Sequence, residues 1–221
     1  MLLSLDTSSP TSLVALSHAH ELLAVTESDG TGGHERVLLP MVEQVLDVAG
    51  VDRRDLEAIV CGVGPGPFTG LRVGLVTALT LGRVLGIEVT GVCSLDIVGH
   101  EVVAQGSALG ADFAVATDAR RREVYWATYD ASGTRTSGPF VTAPAVAADE
   151  LHGLAVAGPG PHLYPQVLEL GIEPTRATAA GLAALAESGA ARLEPAPMYL
   201  RDPDAVAPGR RKRVTPQGVG E

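Results

Sequence analysis

The stretch 61–74, CGVGPGPFTGLRVG, has residue types that commonly bind phosphate. It contains five glycines and a single charged residue, Arg72, and it leads into a predicted helix. A phosphate-binding loop uses backbone N–H donors, which proline lacks, and Pro65 and Pro67 interrupt this loop. The lysine of a P-loop is missing, and Thr69 replaces the third glycine of a dinucleotide fingerprint. We therefore do not expect a nucleotide to bind here.

Two aspartates, Asp6 and Asp118, each end an apolar run at a turn before a further strand-like run. In two-lobed ATPases such turns face each other across a nucleotide cleft, usually with a glycine shortly after the aspartate. Here that glycine is missing, so phosphates cannot approach the backbone closely. An aspartate that caps its own turn is the favoured alternative. A vestigial nucleotide cleft would contain Asp6, Thr7, Ser8, Asp118, Gly158 and Gly160.

Other catalytic patterns are incomplete. His34 and Glu35 begin like the zinc motif H-E-x-x-H, but Leu38 replaces the second histidine. Asp96 and His100 have helical spacing without a third ligand nearby, which favours a capping or solvated pair. No G-x-S-x-G nucleophile motif occurs. The sequence predicts no metal, no cofactor and no catalytic residue.

Composition predicts a two-lobed α/β protein. The 221 residues are enough for two lobes. With 46% hydrophobic but only 4% aromatic residues, the core must consist of Ala, Val and Leu. The formal charge of −10 disfavours direct binding of nucleic acid by most of the chain, although residues 201–221 carry five basic and three acidic side chains.

The sequence predicts a cytoplasmic protein without a membrane span. The N-terminus has no basic segment before its apolar run, and no stretch offers about 18 uncharged apolar residues. Cys61 and Cys93 lie in apolar runs and are expected to be buried free thiols, as in a reducing compartment.

The order of predicted elements repeats along the chain. Strands, a helix over 33–49, a strand, a helix over 69–85, a strand and a helix over 95–104 form one βββαβαβα lobe. FAVATDARRREVYWATYD then repeats the strand–Asp turn–strand pattern, and AGPGP repeats VGPGP. These echoes favour duplication of one unit, against chance recurrence of Gly-Pro turns. The predicted domains are 1–108, a shorter second lobe over 109–203, and a flexible basic tail over 204–221.

Both early helices have more apolar surface than one sheet can cover. In the helix over 69–85, Gly70, Gly74, Ala78 and Gly82 form a ridge of small residues, where a second backbone could approach closely. A partner interface is favoured over coverage by the second lobe of the same chain. Replacing Gly74 by a bulky residue should then abolish partner binding and spare the fold.

Five motifs follow one another along the chain: LLSLDTSS, HERVLLPMVEQVL, GPGPFTGLRVG, DARRREVYWATYD and PMYLRDP. In this order they resemble the motifs of the TsaB (YeaZ) family of bacterial tRNA-modification proteins. Pro67 is a departure, because serine is usual there. The resemblance implies an actin-like (ASKHA) α/β fold of two lobes, each a mixed βββαβα sheet flanked by helices, with the second lobe reduced.

The resemblance also implies a non-catalytic subunit for threonylcarbamoyl transfer to N6 of the adenosine beside the anticodon in ANN-reading tRNAs. The catalytic partner would be TsaD, with TsaE as an ATPase; tRNA would bind only through the complex, and the chain alone would form a homodimer. Docking would use the first two helices. The implied interface consists of His34, Arg36, Leu39, Met41, Phe68, Gly70, Arg72, Gly74, Ala78 and Gly82. The alternative is an independent ATPase or small-molecule kinase that uses Asp6 and Asp118.

Overall fold

The computed structural model describes residues 1–28, 31–168 and 171–201. The predicted basic tail, 204–221, lies outside these residues. The described chain forms two five-stranded mixed sheets, with one layer of helices between the sheets and further helices on their outer faces.

The first sheet has the strand order β3-β2-β1-β4-β5. β1 pairs antiparallel with β2 and parallel with β4. Side chains alternate between its faces, so Val14 and Leu16 join one core while Leu13 and Ala15 join another. Both faces are therefore buried. Its strands are β1 (Leu2–Asp6), β2 (Leu13–His18), β3 (Glu21–Glu27), β4 (Ala58–Gly62) and β5 (Glu88–Val92).

The second sheet has the strand order β10-β9-β6-β7-β8, which repeats the first sheet's connectivity. β6 pairs antiparallel with β7 and parallel with β9, as β1 does with β2 and β4. This repeat confirms the predicted two-lobed actin-like α/β fold. The strands are β6 (Phe113–Asp118), β7 (Val124–Tyr129), β8 (Arg135–Thr142), β9 (Ala155–Ala157) and β10 (Gly171–Ile172).

The helices differ in length between the two lobes. In the first lobe they are α1 (His34–Ala49), α2 (Phe68–Leu85) and α3 (Ser94–Gln105). Their counterparts are α4 (Pro144–Glu150), α5 (Gly160–Leu163) and α6 (Ala179–Glu187). The second lobe is reduced mainly because α4 and α5 have only 7 and 4 residues.

The two lobes exchange their last helices. α6 packs on β1, β2 and β3 of the first sheet, whereas α3 packs mainly on the second sheet. Together they form a layer between the sheets, with α1 and α2 on the outside of the first. The division predicted at residue 108 follows the repeat along the chain, but the packing crosses it.

An ion pair joins α3 to the second sheet. Asp96 Oδ1 accepts hydrogen bonds from Arg135 Nε and from the Tyr129 hydroxyl, each at 2.9 Å. Burial raises the pKa of Tyr129 well above its usual value, so its hydroxyl stays protonated. The expectation that Asp96 and His100 form a capping or solvated pair is therefore wrong, because Arg135 and Tyr129 approach Asp96 from the other lobe.

Helix α2 is apolar but carries part of the core. At 18 residues and a mean hydropathy of 1.3, it is long and apolar enough to cross a membrane by length and composition. In this structure 33% of those residues are buried. One such helix among the described residues is weak evidence for a span, because core helices meet the same criterion. Its buried side packs on β1, β4 and β5.

The contact between α3 and α6 leads to a pH prediction. Glu101 is buried and accepts a hydrogen bond from Thr178 Oγ1, at the N-terminus of α6. Burial raises the pKa of Glu101 above its usual 4.5. A raised folded-state pKa adds stability that is full below the unfolded pKa and is lost as pH rises through the folded pKa. Relative to Glu101→Gln, wild type should therefore gain thermal stability as pH falls from neutral towards 4.5.

The control for this prediction is Glu43→Gln, at an exposed position on α1. Melting temperatures of the three proteins, measured across this pH range by circular dichroism, should separate only for Glu101→Gln. A constant difference between Glu101→Gln and wild type would contradict the proposed cause.

Candidate functional site

The turn after β1 encloses Asp6 completely. Oδ1 accepts hydrogen bonds from the Ser8 N–H at 2.8 Å and the Ser8 hydroxyl at 2.7 Å, while Oδ2 accepts one from Ser94 Oγ at 2.5 Å. A Cβ at Gly62 would overlap Oδ2, so the neighbouring strand approaches this carboxylate directly. Asp6 therefore fixes its own turn, as the capping alternative predicts.

Thr7 connects this turn to α2. Its buried hydroxyl donates to the carbonyl of Gly70 at 2.7 Å and accepts from the N–H of Gly74 at 3.1 Å. A Cβ at Gly70 would lie 2.5 Å from the Thr7 carbonyl oxygen, and a Cβ at Gly66 would lie 2.5 Å from the Ser8 carbonyl oxygen. The glycines of the signature stretch thus make room for the first strand's turn.

The ridge of small residues faces inward. Gly74 approaches Thr7, Gly82 approaches Val89 of β5, and Ala78 is fully buried. The expectation that this ridge receives a partner's backbone is therefore wrong, because the chain's own sheet occupies it. The periodic pattern predicted a close approach but not the direction of the approach.

The other predicted interface residues occupy mixed positions. Met41 is buried in the core beneath α1, whereas Arg36 and Leu39 are exposed. His34 is partly buried, and its Nδ1 lies 2.7 Å from Ser12 Oγ. Phe68 is partly buried and stacks on Tyr199. The outward side chains of α1 and α2 are therefore the part of the predicted interface that a partner could contact.

The second lobe's turn is more open than the first. Asp118 Oδ1 accepts the Arg120 N–H at 2.8 Å, and Oδ2 lies 3.5 Å from the Arg120 guanidinium. Gly158 and Gly160 do not face this carboxylate, because a Cβ on either would instead contact Ala116 of β6. The predicted vestigial cleft is therefore not one site: Asp6, Thr7 and Ser8 form a closed turn, Asp118 is paired with Arg120, and Gly158 and Gly160 pack on β6.

Residues 199–201 line the mouth of the interlobe cleft, a position that the sequence did not reveal. The Tyr199 ring stacks on Phe68 at a centroid distance of 4.5 Å, and its hydroxyl accepts from Arg72 Nε at 3.1 Å. Arg201 pairs with Glu123 at 2.7 Å. PMYLRDP was recognised only as a motif, and residue spacing could not locate the distant partners of Tyr199 and Arg201.

Thiol and metal chemistry find little support in the described residues. Burial raises the pKa of Cys61 and of Cys93 to about 12, so both thiols are protonated at neutral pH. Within 1–28, 31–168 and 171–201, no group of three His, Cys, Asp or Glu side chains could hold a metal ion.

Comparison with known proteins identifies the family. A structure titled "YeaZ from Pseudomonas aeruginosa" superimposes with a TM-score of 0.75 and 31% sequence identity, covering 90% of this chain and 99% of that one. The chain belongs to the TsaB/YeaZ family. A family profile described as "TsaD: tRNA N6-adenosine threonylcarbamoyltransferase" also matches residues 31–165.

Curated relatives agree with this TsaB/YeaZ assignment. An uncharacterized protein of Mycobacterium tuberculosis is 42% identical over 205 residues, covering 92% of each chain. The Escherichia coli protein named "tRNA threonylcarbamoyladenosine biosynthesis protein TsaB" is 34% identical over 135 residues, which cover 58% of this chain and 54% of that protein.

In this TsaB/YeaZ protein, the contact between Thr7 and Gly74 predicts that the effect of Gly74→Ala on stability changes sign when Thr7 is replaced by alanine. Gly74→Ala should destabilise the wild type by about 1–3 kcal/mol, because the new Cβ overlaps Thr7 Oγ1. In a Thr7→Ala background the same change should be neutral or stabilising by up to about 1 kcal/mol, through the higher helix propensity of alanine. Urea denaturation of the four proteins measures this coupling. An equal cost of Gly74→Ala in both backgrounds would show that Thr7 does not impose the glycine.

Proposed function

We propose that this chain is a non-catalytic subunit for threonylcarbamoyl transfer to N6 of the adenosine adjacent to the anticodon in ANN-reading tRNAs. It would act by docking on a catalytic TsaD-type protein. The observation that carries this proposal is an exposed apolar face on the first-lobe helices, in a chain of the TsaB/YeaZ family.

The outward face of α2 has the chemistry of a helical interface. Val76, Leu79 and Val84 are 62%, 43% and 75% exposed, spaced so that they follow one side of the helix. On α1, Leu39 and Val48 are also exposed, at 52% and 70%, but their spacing of nine residues places them on opposite sides of that helix. Exposed apolar side chains of this kind favour association, because burial removes their surface from water at about 25 cal/mol per Å².

A scaffold of this kind would act by shifting a population. A subunit that contacts the active conformation of its partner more favourably than the inactive one raises the fraction of active partner. The enclosure of Asp6 and the protonated thiols support a role without catalytic groups on this chain. We infer that TsaE supplies ATPase activity and that tRNA reaches the complex chiefly through TsaD. This function also implies a cytoplasmic location.

The same apolar face supports a homodimer when the partner is absent. A second copy would cover Val76 and Val84 by pairing α2 with α2 about a twofold axis. The homodimer and the TsaD complex would then compete for one surface.

The docking proposal predicts a selective loss of binding. Val76→Glu should weaken association with the TsaD-type partner from the same cell at least about tenfold, because the interface then buries an unpaired carboxylate in place of a valine. Val146→Glu is the matched control, since Val146 is a 50% exposed valine on α4 of the other lobe. Sedimentation velocity of the mixtures measures association, and unchanged melting temperatures verify the fold. Equal association of the two variants would place the interface elsewhere.

The alternative of an independent ATPase or kinase makes a different prediction. Because hydrogen bonds occupy both Asp6 oxygens and Gly66 packs on Ser8, isothermal titration of the chain with ATP and Mg²⁺ should show no micromolar binding. Micromolar affinity, with turnover lost in Asp118→Ala, would favour the enzyme instead. Asp118 suits this test because it is partly exposed and its loss should leave the fold intact.

A further inference from the structure

The mouth of the interlobe cleft holds a pocket of about 270 Å³ that three separate segments line. They are the start of α2, the β6–β7 turn and the segment 199–201. Among the described residues, the lining includes three arginines and no carboxylate, although the chain as a whole is acidic. The lining comprises Gly66, Pro67, Phe68, Thr69, Ala119, Arg120, Arg121, Tyr125, Tyr199, Leu200 and Arg201.

The β6–β7 turn holds its arginines in an unfavourable backbone conformation. Arg120, Arg121 and Arg122 have φ values of 60°, 54° and 62°, in the left-handed region that favours glycine. The turn is closed by hydrogen bonds between Ala119 and Glu123 and between Glu123 and Arg120. Glycine adopts this backbone conformation at lower cost than arginine does. The ion pair between Arg120 and Asp118 offsets part of that cost.

Two groups at the cleft offer complementary chemistry. Tyr199 is 37% exposed, and its ring is held in place by Phe68 and Arg72. Arg120 is 65% exposed, and its 3.5 Å separation from Asp118 leaves a loose ion pair. A nucleic acid strand needs both a ring to stack its bases and guanidinium groups for its phosphates.

A second depression adjoins this pocket at Arg120. Arg120 also borders a neighbouring depression of about 220 Å³, lined further by Ser12, Ser28, Thr31 and His34. Serine and threonine hydroxyls are common donors to nucleic acid phosphates. A ligand longer than a single anion could therefore occupy both depressions.

We propose that this cleft binds a single-stranded segment of RNA, with a base stacked on Tyr199 and the adjacent phosphates held by Arg120 and Arg121. An acidic peptide would use the arginines but has no need of an exposed aromatic ring, so the lining favours RNA. The proposal deepens the proposed function. It rests on that function only for the identification of the bound RNA as tRNA. It differs from the expectation that tRNA binds only through the complex, because the arginines of this cleft would contact the RNA directly, beside the carboxylates of Asp118 and Glu123.

The test compares two double variants of the full chain by fluorescence anisotropy with a labelled anticodon stem-loop RNA. Arg120→Gly/Arg121→Gly removes two guanidinium groups and suits the left-handed turn, and its melting temperature, compared with that of wild type, verifies that the fold persists. Its RNA affinity should fall at least about tenfold. The plot of log affinity against log salt concentration should become shallower by about 1.4 in slope, because the protein then no longer neutralises two phosphates of the single strand.

The charge-matched control is Arg53→Ala/Arg54→Ala, in an exposed 3-10 turn that does not line the cleft. Basic residues 210–213 are present in every protein and cannot separate the variants. Retained binding in the control with loss in the glycine variant would support the cleft. Equal losses, or no measurable RNA binding by wild type, would overturn it. ATP binding lost in the glycine variant, without RNA binding, would identify a free nucleotide as ligand and also overturn it.

This result is independent of docking on the TsaD-type partner. If Val76→Glu leaves partner binding intact while the arginine variant loses RNA, the docking proposal fails and the RNA site stands. If partner binding depends on Val76 but the two arginine variants bind RNA equally, the RNA site fails and docking stands.

Discussion

The close approach of the β1 turn to helix α2 is the constraint on which the rest of the functional surface depends. The Thr7 hydroxyl lies between the Gly70 carbonyl and the Gly74 N–H. This contact fixes the rotation of α2 about its axis, since only glycine at these positions admits the turn. Once the rotation is fixed, Val76 and Val84 must point outward. An internal packing constraint thus determines which side chains a partner can meet.

The exchange of α3 and α6 makes the two lobes interdependent. Each helix ends the sequence repeat of one lobe but packs on the sheet of the other. Polar contacts fix both ends of this layer, through Asp96 with Arg135 and through Glu101 with Thr178. The cleft between the lobes is therefore held by buried groups on both sides. Tyr199 and Arg201 then line its mouth beside α2 and β7.

Local patterns in the sequence predicted the elements and their repeat. Alternation identified the paired strands around Asp6 and Asp118, and the duplicated GPGP turns appear at equivalent places in both lobes. The short elements α5 and β10 carry too little periodicity to be recognised. The inward direction of the Gly70 ridge was also beyond prediction, because α2 has apolar residues on every side. Its orientation depends on a threonine 63 residues away along the chain.

The two Asp turns have diverged from one topology towards opposite environments. In the first lobe, glycines admit α2 against the turn, and Asp6 becomes an internal acceptor without access to a ligand. In the second lobe, the corresponding turn remains open and carries three left-handed arginines, each at a conformational cost of about 1–2 kcal/mol relative to glycine. Packing explains the first outcome, since burial of the turn stabilises the fold. It does not explain the second, because this turn is exposed and glycine would adopt its left-handed backbone at lower cost. The cleft thus keeps both aspartates, one enclosed and one paired with Arg120, and presents guanidinium groups beside an exposed tyrosine.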